Sequence, residues 1–427
     1  MLLFKLFAVV VVASVHVSAG PVRNTTANGD YFYSILKELE ALPKPPGYIP
    51  YIDHEDANLS IPEIIVKYGY PVEVHSITTA DGYVLEAHRI PYGKQCGPAE
   101  GKRVIWLQHG LLGDSSNWII AGPDKAFGYV LADQCYDVWM GNFRGNTYSR
   151  RHLFLDPNVN QKEFWDHSWN EIGLNDVPAN IDYALSVTGA ESLYYVGHSM
   201  GTTTMWVLLS EKPEYNAKIK LMNAFAPVSY TEHMITPLRL LAPFENQIEW
   251  IINMLGLYEF LPSNAFMDFL GKTVCHEQSP VQFVCSNVLF LVAGYNFDQI
   301  DPQLLSIAMG HSPAGSSSGD LLHYSQGVNS GLFRKYNYGR AENLLRYGQE
   351  TPPEYDISKI TAPVALYWGQ NDWLAAPADV YRLAEQLPNL VKFHRIDHNR
   401  FNHLDFVWAI DLNPLINLPT MRFMENY

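Results

Sequence analysis

The feature that most constrains this chain is the pentapeptide Gly197-His198-Ser199-Met200-Gly201. It sits between an apolar run, Ser192 to Val196, and a helical pattern, Thr202 to Leu209. A Gly-x-Ser-x-Gly turn that ends a strand and opens a helix lifts its serine out of the sheet with the hydroxyl exposed. Such a turn belongs to a parallel sheet covered by helices, and the flanking sequence alternates accordingly. Val104 to Leu107, Tyr136 to Met140 and Lys220 to Ala226 read as buried strands. Phe127 to Ala132 and Asp176 to Val187 have helical spacing. Upstream, Val72 to Thr79 and Tyr83 to Ile90 flank Asp81-Gly82 as a hairpin. The alternation resumes late in the chain, with Val364 to Trp368 and Val391 to Ile396 as strands, and Ala378 to Gln386 and Leu404 to Ile410 as helices.

This grammar predicts an α/β fold with a mostly parallel central sheet flanked by helices. Between residues 230 and 359 it breaks down into apolar helical stretches such as Ile248 to Leu257. Loops rich in Gly, Ser, Tyr and Asn lie between them, among them Gly315 to Gly319. The expected organisation is a core over residues 20–229 and 360–427 that holds an inserted, mainly helical cap at 230–359.

A serine hydroxyl is a poor nucleophile unless a base takes its proton and an acid orients that base. The chain order Ser, then Asp, then His is present. Asp372 follows the strand ending at Trp368, and His403 follows the strand ending near Ile396. His394 and His398 are rival bases. His394 lies inside the strand pattern, and spacing alone does not exclude His398. Asp405, two residues past His403, reads as structural. The oxyanion needs backbone donors from the residue after the nucleophile, Met200, and from the turn after an earlier strand. That turn is His109-Gly110-Leu111-Leu112-Gly113, with the Leu111 N–H as the candidate.

Composition narrows the partners. The formal charge is −15 and the longest basic runs are pairs, which argues against nucleic acid. Residues 1–19 read as a signal peptide: Lys5, an apolar stretch, then Val17-Ser18-Ala19 for cleavage. A secreted protein is the expectation, and two sequons, at Asn24 and Asn58, fit glycosylation. The four cysteines suit an oxidising compartment. Cys275 and Cys285 close a short loop as a candidate disulfide, and Cys96 with Cys135 is a second candidate, although four cysteines allow three connectivities. Without Cys-x-x-Cys or histidines at ligand spacing, no metal is expected.

With these residues in place, the chain resembles the acid lipase family, the gastric and lysosomal acid lipases and their insect relatives. The resemblance runs from about Ile61 to the C-terminus. Its motifs include Gly69-Tyr70-Pro71, Thr79 to Tyr83, Gln108 to Leu112, Asp137 to Asn142, Arg144-Gly145-Asn146, Asp176 to Ala179 and His311 to Gly315. Asn371-Asp372 and Asn402 to Phe406 match the family's acid and base motifs. The resemblance implies an α/β-hydrolase core with a helical cap and lid. It implies a triad of Ser199, Asp372 and His403, with oxyanion donors at Leu111 and Met200. It favours His403 over His398 and a cap disulfide between Cys275 and Cys285.

Two positions depart from the gastric pattern: Met200 stands where Gln is common, and Ala293 where a further cysteine is common. The expected activity is hydrolysis of lipid esters, acylglycerols first, at an oil–water or membrane interface. It needs no cofactor and no obligate protein partner. A carboxylesterase or steryl esterase of the same fold is the alternative. So, less favoured, is a non-catalytic lipid-binding or storage protein, which would be expected to have lost a triad residue.

Overall fold

The sheet begins with two antiparallel strands, β1 (Glu73–Thr78) and β2 (Tyr83–Ile90), in register from Glu73 opposite Arg89 to Thr78 opposite Val84. The computed structural model describes residues 53–261, 293–294 and 296–427. The proposed leader, Asn24, Cys275 and Cys285 lie outside the described residues.

Six more strands follow: β3 (Arg103–Gln108), β4 (Tyr136–Gly141), β5 (Leu193–His198), β6 (Ile219–Phe225), β7 (Val364–Trp368) and β8 (Leu390–Arg395). Their order across the sheet is β1-β2-β4-β3-β5-β6-β7-β8. The β2–β4 pairing is antiparallel, and every pairing from β4 to β8 is parallel. A short strand, Arg151–His152, pairs with the start of β2.

Helices cover this sheet: α1 (Phe127–Asp133), α2 (Val177–Thr188) and α3 (Met200–Glu211). Between β6 and β7 lie α4 (Glu245–Leu255), α5 (Pro302–His311) and α6 (Ser318–Ser330). Later come α7 (Pro377–Gln386) and α8 (Leu418–Met424).

The strand residues explain this layering. Every residue of β4, β5 and β7 is buried, as expected for parallel strands covered on both faces. The edge strand β8 carries Lys392 and Arg395, and charged residues discourage pairing with another sheet. The abundant aromatics fill the core: Trp106 and Trp139 stack across β3 and β4 with ring centres 6.2 Å apart, and Trp206 of α3 is fully buried.

Two expected elements differ. The helix expected over Leu404 to Ile410 as the final one spans only Asp405–Trp408, and α8 follows it. Ala409 turns extended, and the amides of Ile410 and Asp411 bond instead to the backbone and side-chain oxygens of Gln299, at 3.1 and 3.0 Å. A tertiary partner thus takes the bonds that would have prolonged the helix. Gly315 to Gly319 is not a plain loop. Ser316–Ser317 pairs antiparallel with Glu259–Phe260, and the Ser317 hydroxyl caps α6 by accepting the Gly319 N–H at 3.0 Å.

Three of the motif segments converge on one buried ion network. The Arg144 guanidinium, 1% exposed, pairs with Asp81 at 2.7 Å and Asp176 at 2.5 Å, and it lies over the Tyr83 ring. Cys96 and Cys135 are disulfide-bonded, with Cα atoms 5.3 Å apart, which ties the β2–β3 connection to the turn after α1.

Candidate active site

Each proposed catalytic residue lies just beyond the carboxyl end of a parallel strand: Leu111 after β3, Ser199 after β5, Asp372 after β7 and His403 after β8. Such ends converge on one rim of the sheet, where α/β sites form.

Ser199 occupies a sharp turn between β5 and α3 with φ 54° and ψ −119°. Side chains rarely adopt positive φ, and holding one there costs about 1–3 kcal/mol. The surroundings enforce it. The Ser199 N–H bonds to the Phe225 carbonyl at 3.1 Å, and its own carbonyl accepts the Thr202 N–H at 2.8 Å. Gly201 is required by a close approach, because a Cβ there would lie 2.6 Å from the Gln108 carbonyl oxygen. The turn leaves the Ser199 side chain partly exposed while its neighbours His198 and Met200 are buried.

The structure brings Ser199, His403 and Asp372 together. His403 Nε2 lies 2.7 Å from Ser199 Oγ. On the other side of the ring, Nδ1 lies 3.0 and 2.9 Å from the two Asp372 oxygens. A carboxylate accepts, so Nδ1 carries the proton and Nε2 is free to accept from the serine. His403 and Asp372 are 2% and 1% exposed, so their contact is sheltered from water. Asp372 also accepts the amides of Leu374 and Ala375 at 2.9 and 2.8 Å. The carboxylate that orients the histidine therefore also shapes its own turn.

His398, the rival base, belongs to the turn leaving β8. Its amide donates to the Ile396 carbonyl and its carbonyl accepts from Phe401. That turn delivers His403, not His398, to Ser199.

Residues outside the triad hold these loops, among them Asp405, whose structural reading the geometry bears out. The buried Asp405 carboxylate accepts the Asn402 N–H at 2.8 Å and the Asn296 side chain at 2.7 Å. Burial pushes this carboxyl up to about 7. The Ala293 carbonyl accepts the amides of both Trp373 and His403 at 3.4 Å, bridging the two loops through its backbone. His198 Nε2 donates to the His403 carbonyl at 2.8 Å. Burial, with His403 close by, holds the His198 ring down at about 3, so it stays neutral.

The turn after β3 lies alongside the serine. A Cβ added to Gly110 would sit 2.8 Å from Ser199 Cβ, so this backbone approaches as only glycine permits. Beyond it, the Leu112 carbonyl accepts the Ala314 N–H at 2.7 Å, which joins the turn to the His311–Gly315 motif. Met200 opens α3, and a first-turn N–H has no partner within its own helix. Both proposed donors thus lie on backbone that flanks Ser199.

Past β6 the chain turns back over this rim. The Ile235 amide bonds to the Trp373 carbonyl at 3.0 Å, beside Asp372. From there Ile235, Phe244, Trp250, Met254 and Leu255 are exposed. Asn58 is exposed as well. No helix among the described residues is long and apolar enough to cross a membrane.

Comparison with known proteins places these observations in a family. Residues 61–122 match the model of a partial alpha/beta-hydrolase lipase region, and residues 103–408 match that of the alpha/beta hydrolase fold. Lipase 3 of Drosophila melanogaster is 43% identical over 86% of this chain and 92% of its own length. Gastric triacylglycerol lipase of Rattus norvegicus is 41% identical over 83% of this chain and 89% of its own. Lysosomal acid lipase/cholesteryl ester hydrolase of Macaca fascicularis is 39% identical over 85% and 91%.

Proposed function

The chain belongs to the lipases of the α/β-hydrolase fold, and from that premise we propose a secreted serine lipase that cleaves acylglycerols through Ser199, His403 and Asp372. It is a carboxylic ester hydrolase of lipid substrates, like the gastric and lysosomal relatives it matches. The observation that carries the choice of residues is the pair of contacts on the His403 ring, Ser199 Oγ at one nitrogen and Asp372 at the other.

The chemistry follows from that pair. As Ser199 Oγ attacks the ester carbonyl, its proton passes to His403 Nε2. Asp372 keeps the imidazole in the Nδ1–H form and stabilises the imidazolium that results. The carbonyl oxygen becomes an oxyanion, which the Leu111 and Met200 amides receive. His403 then protonates the departing alcohol and leaves an acyl group on Ser199. Water, activated by the same histidine, releases the fatty acid.

The exposed apolar side chains from Ile235 to Leu255 support contact with a lipid surface close to the Asp372 loop. The N-terminal leader, the Cys96–Cys135 bond and the exposed Asn58 support secretion with a glycan. A steryl ester substrate is the second reading, favoured by the 39% identity to a lysosomal acid lipase/cholesteryl ester hydrolase.

The test compares mature wild type with Ser199→Ala on emulsified long-chain triacylglycerol and on a soluble short-chain ester. Wild type is expected to hydrolyse the emulsion, and the variant to lose on the order of 10⁴-fold or more in kcat while remaining folded. Wild-type rates in the variant would overturn the assignment. Activity confined to the soluble ester would make this an esterase.

A further inference from the structure

The proposed mechanism leaves His109 without a role, yet this residue grips the turn beside Ser199. Its ring is 1% exposed and edge-on to Phe143. Nδ1 lies 2.8 Å from the Gly110 carbonyl oxygen. Nε2 lies 3.1 Å from the Phe143 backbone nitrogen and 3.3 Å from Asn146 Nδ2. A carbonyl only accepts and an amide N–H only donates, so Nδ1 carries the proton and Nε2 offers its lone pair. Burial holds the ring down at about 4, and this neutral form with one donor and one acceptor persists into acid.

The oxygen that His109 grips belongs to the peptide between Gly110 and Leu111, which is trans. In a trans peptide the C=O and N–H point in opposite directions. Fixing the Gly110 oxygen therefore sets the direction of the Leu111 N–H. Gly113 N–H adds a second bond to the same oxygen at 3.1 Å. Donors on a carbonyl polarise its amide and strengthen the N–H at the other end. This peptide runs beside the nucleophile, since a Cβ on Gly110 would lie 3.3 Å from Ser199 Oγ.

We propose that His109 is a positioning residue for the oxyanion hole: its Nδ1–H orients and polarises the Gly110–Leu111 peptide, so that the Leu111 N–H is set before substrate arrives. The inference rests on Leu111 being an oxyanion donor. His109 acts through that backbone and touches neither Ser199 nor the ester.

Two variants of the full chain separate the two ring nitrogens. In His109→Asn the side-chain amide stands near the Nδ1 position and can still donate to Gly110. In His109→Gln it reaches the Nε2 position and leaves the Gly110 oxygen to Gly113 alone. Both are assayed on a soluble short-chain ester beside wild type and Ser199→Ala, with circular dichroism to confirm folding.

His109→Gln is expected to lose about tenfold or more in kcat, within the ~10²–10³-fold cost of removing a whole oxyanion donor, with KM within about twofold. His109→Asn is expected to recover most of that loss. A folded His109→Gln at wild-type kcat, a loss carried by KM alone, or His109→Asn no better than His109→Gln would each overturn the proposal. Full activity in Ser199→Ala would instead sink the catalytic reading beneath it. If neither variant folds, the His109 tautomer read from ring-¹⁵N spectra of wild type decides: Nδ1–H is expected, and Nε2–H contradicts the proposal.

Discussion

The two sides of Ser199 are held by opposite electrostatic means. On one side, loops after β7 and β8 carry His403 and are pinned by carboxylates: Asp372 on the ring, and Asp405 on the Asn402 backbone. On the other, the turn after β3 is pinned by a neutral imidazole, His109, whose partners Phe143 and Asn146 flank Arg144. There the Asp81–Arg144–Asp176 network stands one step back, and the buried Asp114 carboxylate that follows the turn is held on the Ser116 N–H at 2.8 Å. The difference matches what each side must do. A histidine that becomes cationic during the reaction benefits from an adjacent anion. A hole that receives an oxyanion needs backbone donors held in place, and a neutral imidazole can orient them without adding charge.

The largest expected effect is on the carboxylate side. Asp372→Asn keeps the shape but can donate where it should accept, so the histidine is steered to the wrong tautomer. The expected loss is roughly 10⁴-fold in kcat with the thermal transition little changed. A loss below about tenfold would show that the Asp372 charge is dispensable and would remove half of the contrast.

The next effect is on stability, from the charges behind the other side. Arg144→Met leaves Asp176 buried with its cation gone, an expected cost of about 3–5 kcal/mol in denaturant unfolding. A cost under about 1 kcal/mol would mean that the carboxylates escape to water and that the network does not brace the Phe143–Asn146 segment.

The smallest effect is a change of slope. The folded state raises the Asp405 carboxyl from 3.8 to about 7, chiefly by burial. The folded form therefore binds a proton more readily than the unfolded chain. This contribution to stability is complete at low pH, shrinks as pH rises from about 4, and is gone above about 7. Asp405→Asn should flatten the melting temperature against pH across that window. An unchanged slope would show that Asp405 does not titrate there.

Much of the fold and site is legible in the sequence, for identifiable reasons. Buried parallel strands read as apolar runs, so β3 to β7 are expected within a residue or two of where they stand, and so is the less buried edge strand β8. The elbow and the chain order Ser, Asp, His point to Ser199 and Asp372 by pattern and leave the base among the late histidines. Spacing does not choose between His403 and His398, because the turn from His398 to Phe401 decides which ring swings over Ser199. Family motifs favour His403, and the geometry agrees.

What the sequence hides acts through tertiary backbone contacts. The Ala293 carbonyl serves two loops about 80 and 110 residues away, and nothing in an alanine announces it. His109 reads only as part of a glycine-rich turn, since its role depends on Phe143 and Asn146 from the far side of β4. The serine cluster from Ser316 to Ser318 looks like loop composition, but there it supplies a strand pair and a helix cap.

The measurement that tests the central claim most directly is covalent labelling of the mature protein with a fluorophosphonate, located by peptide mass spectrometry. The account predicts one label per chain, on the peptide that carries Ser199, formed quickly by wild type and absent from Ser199→Ala. A folded protein that takes no label, or takes it on another serine, would contradict the assignment of Ser199 as the nucleophile on which both sides converge.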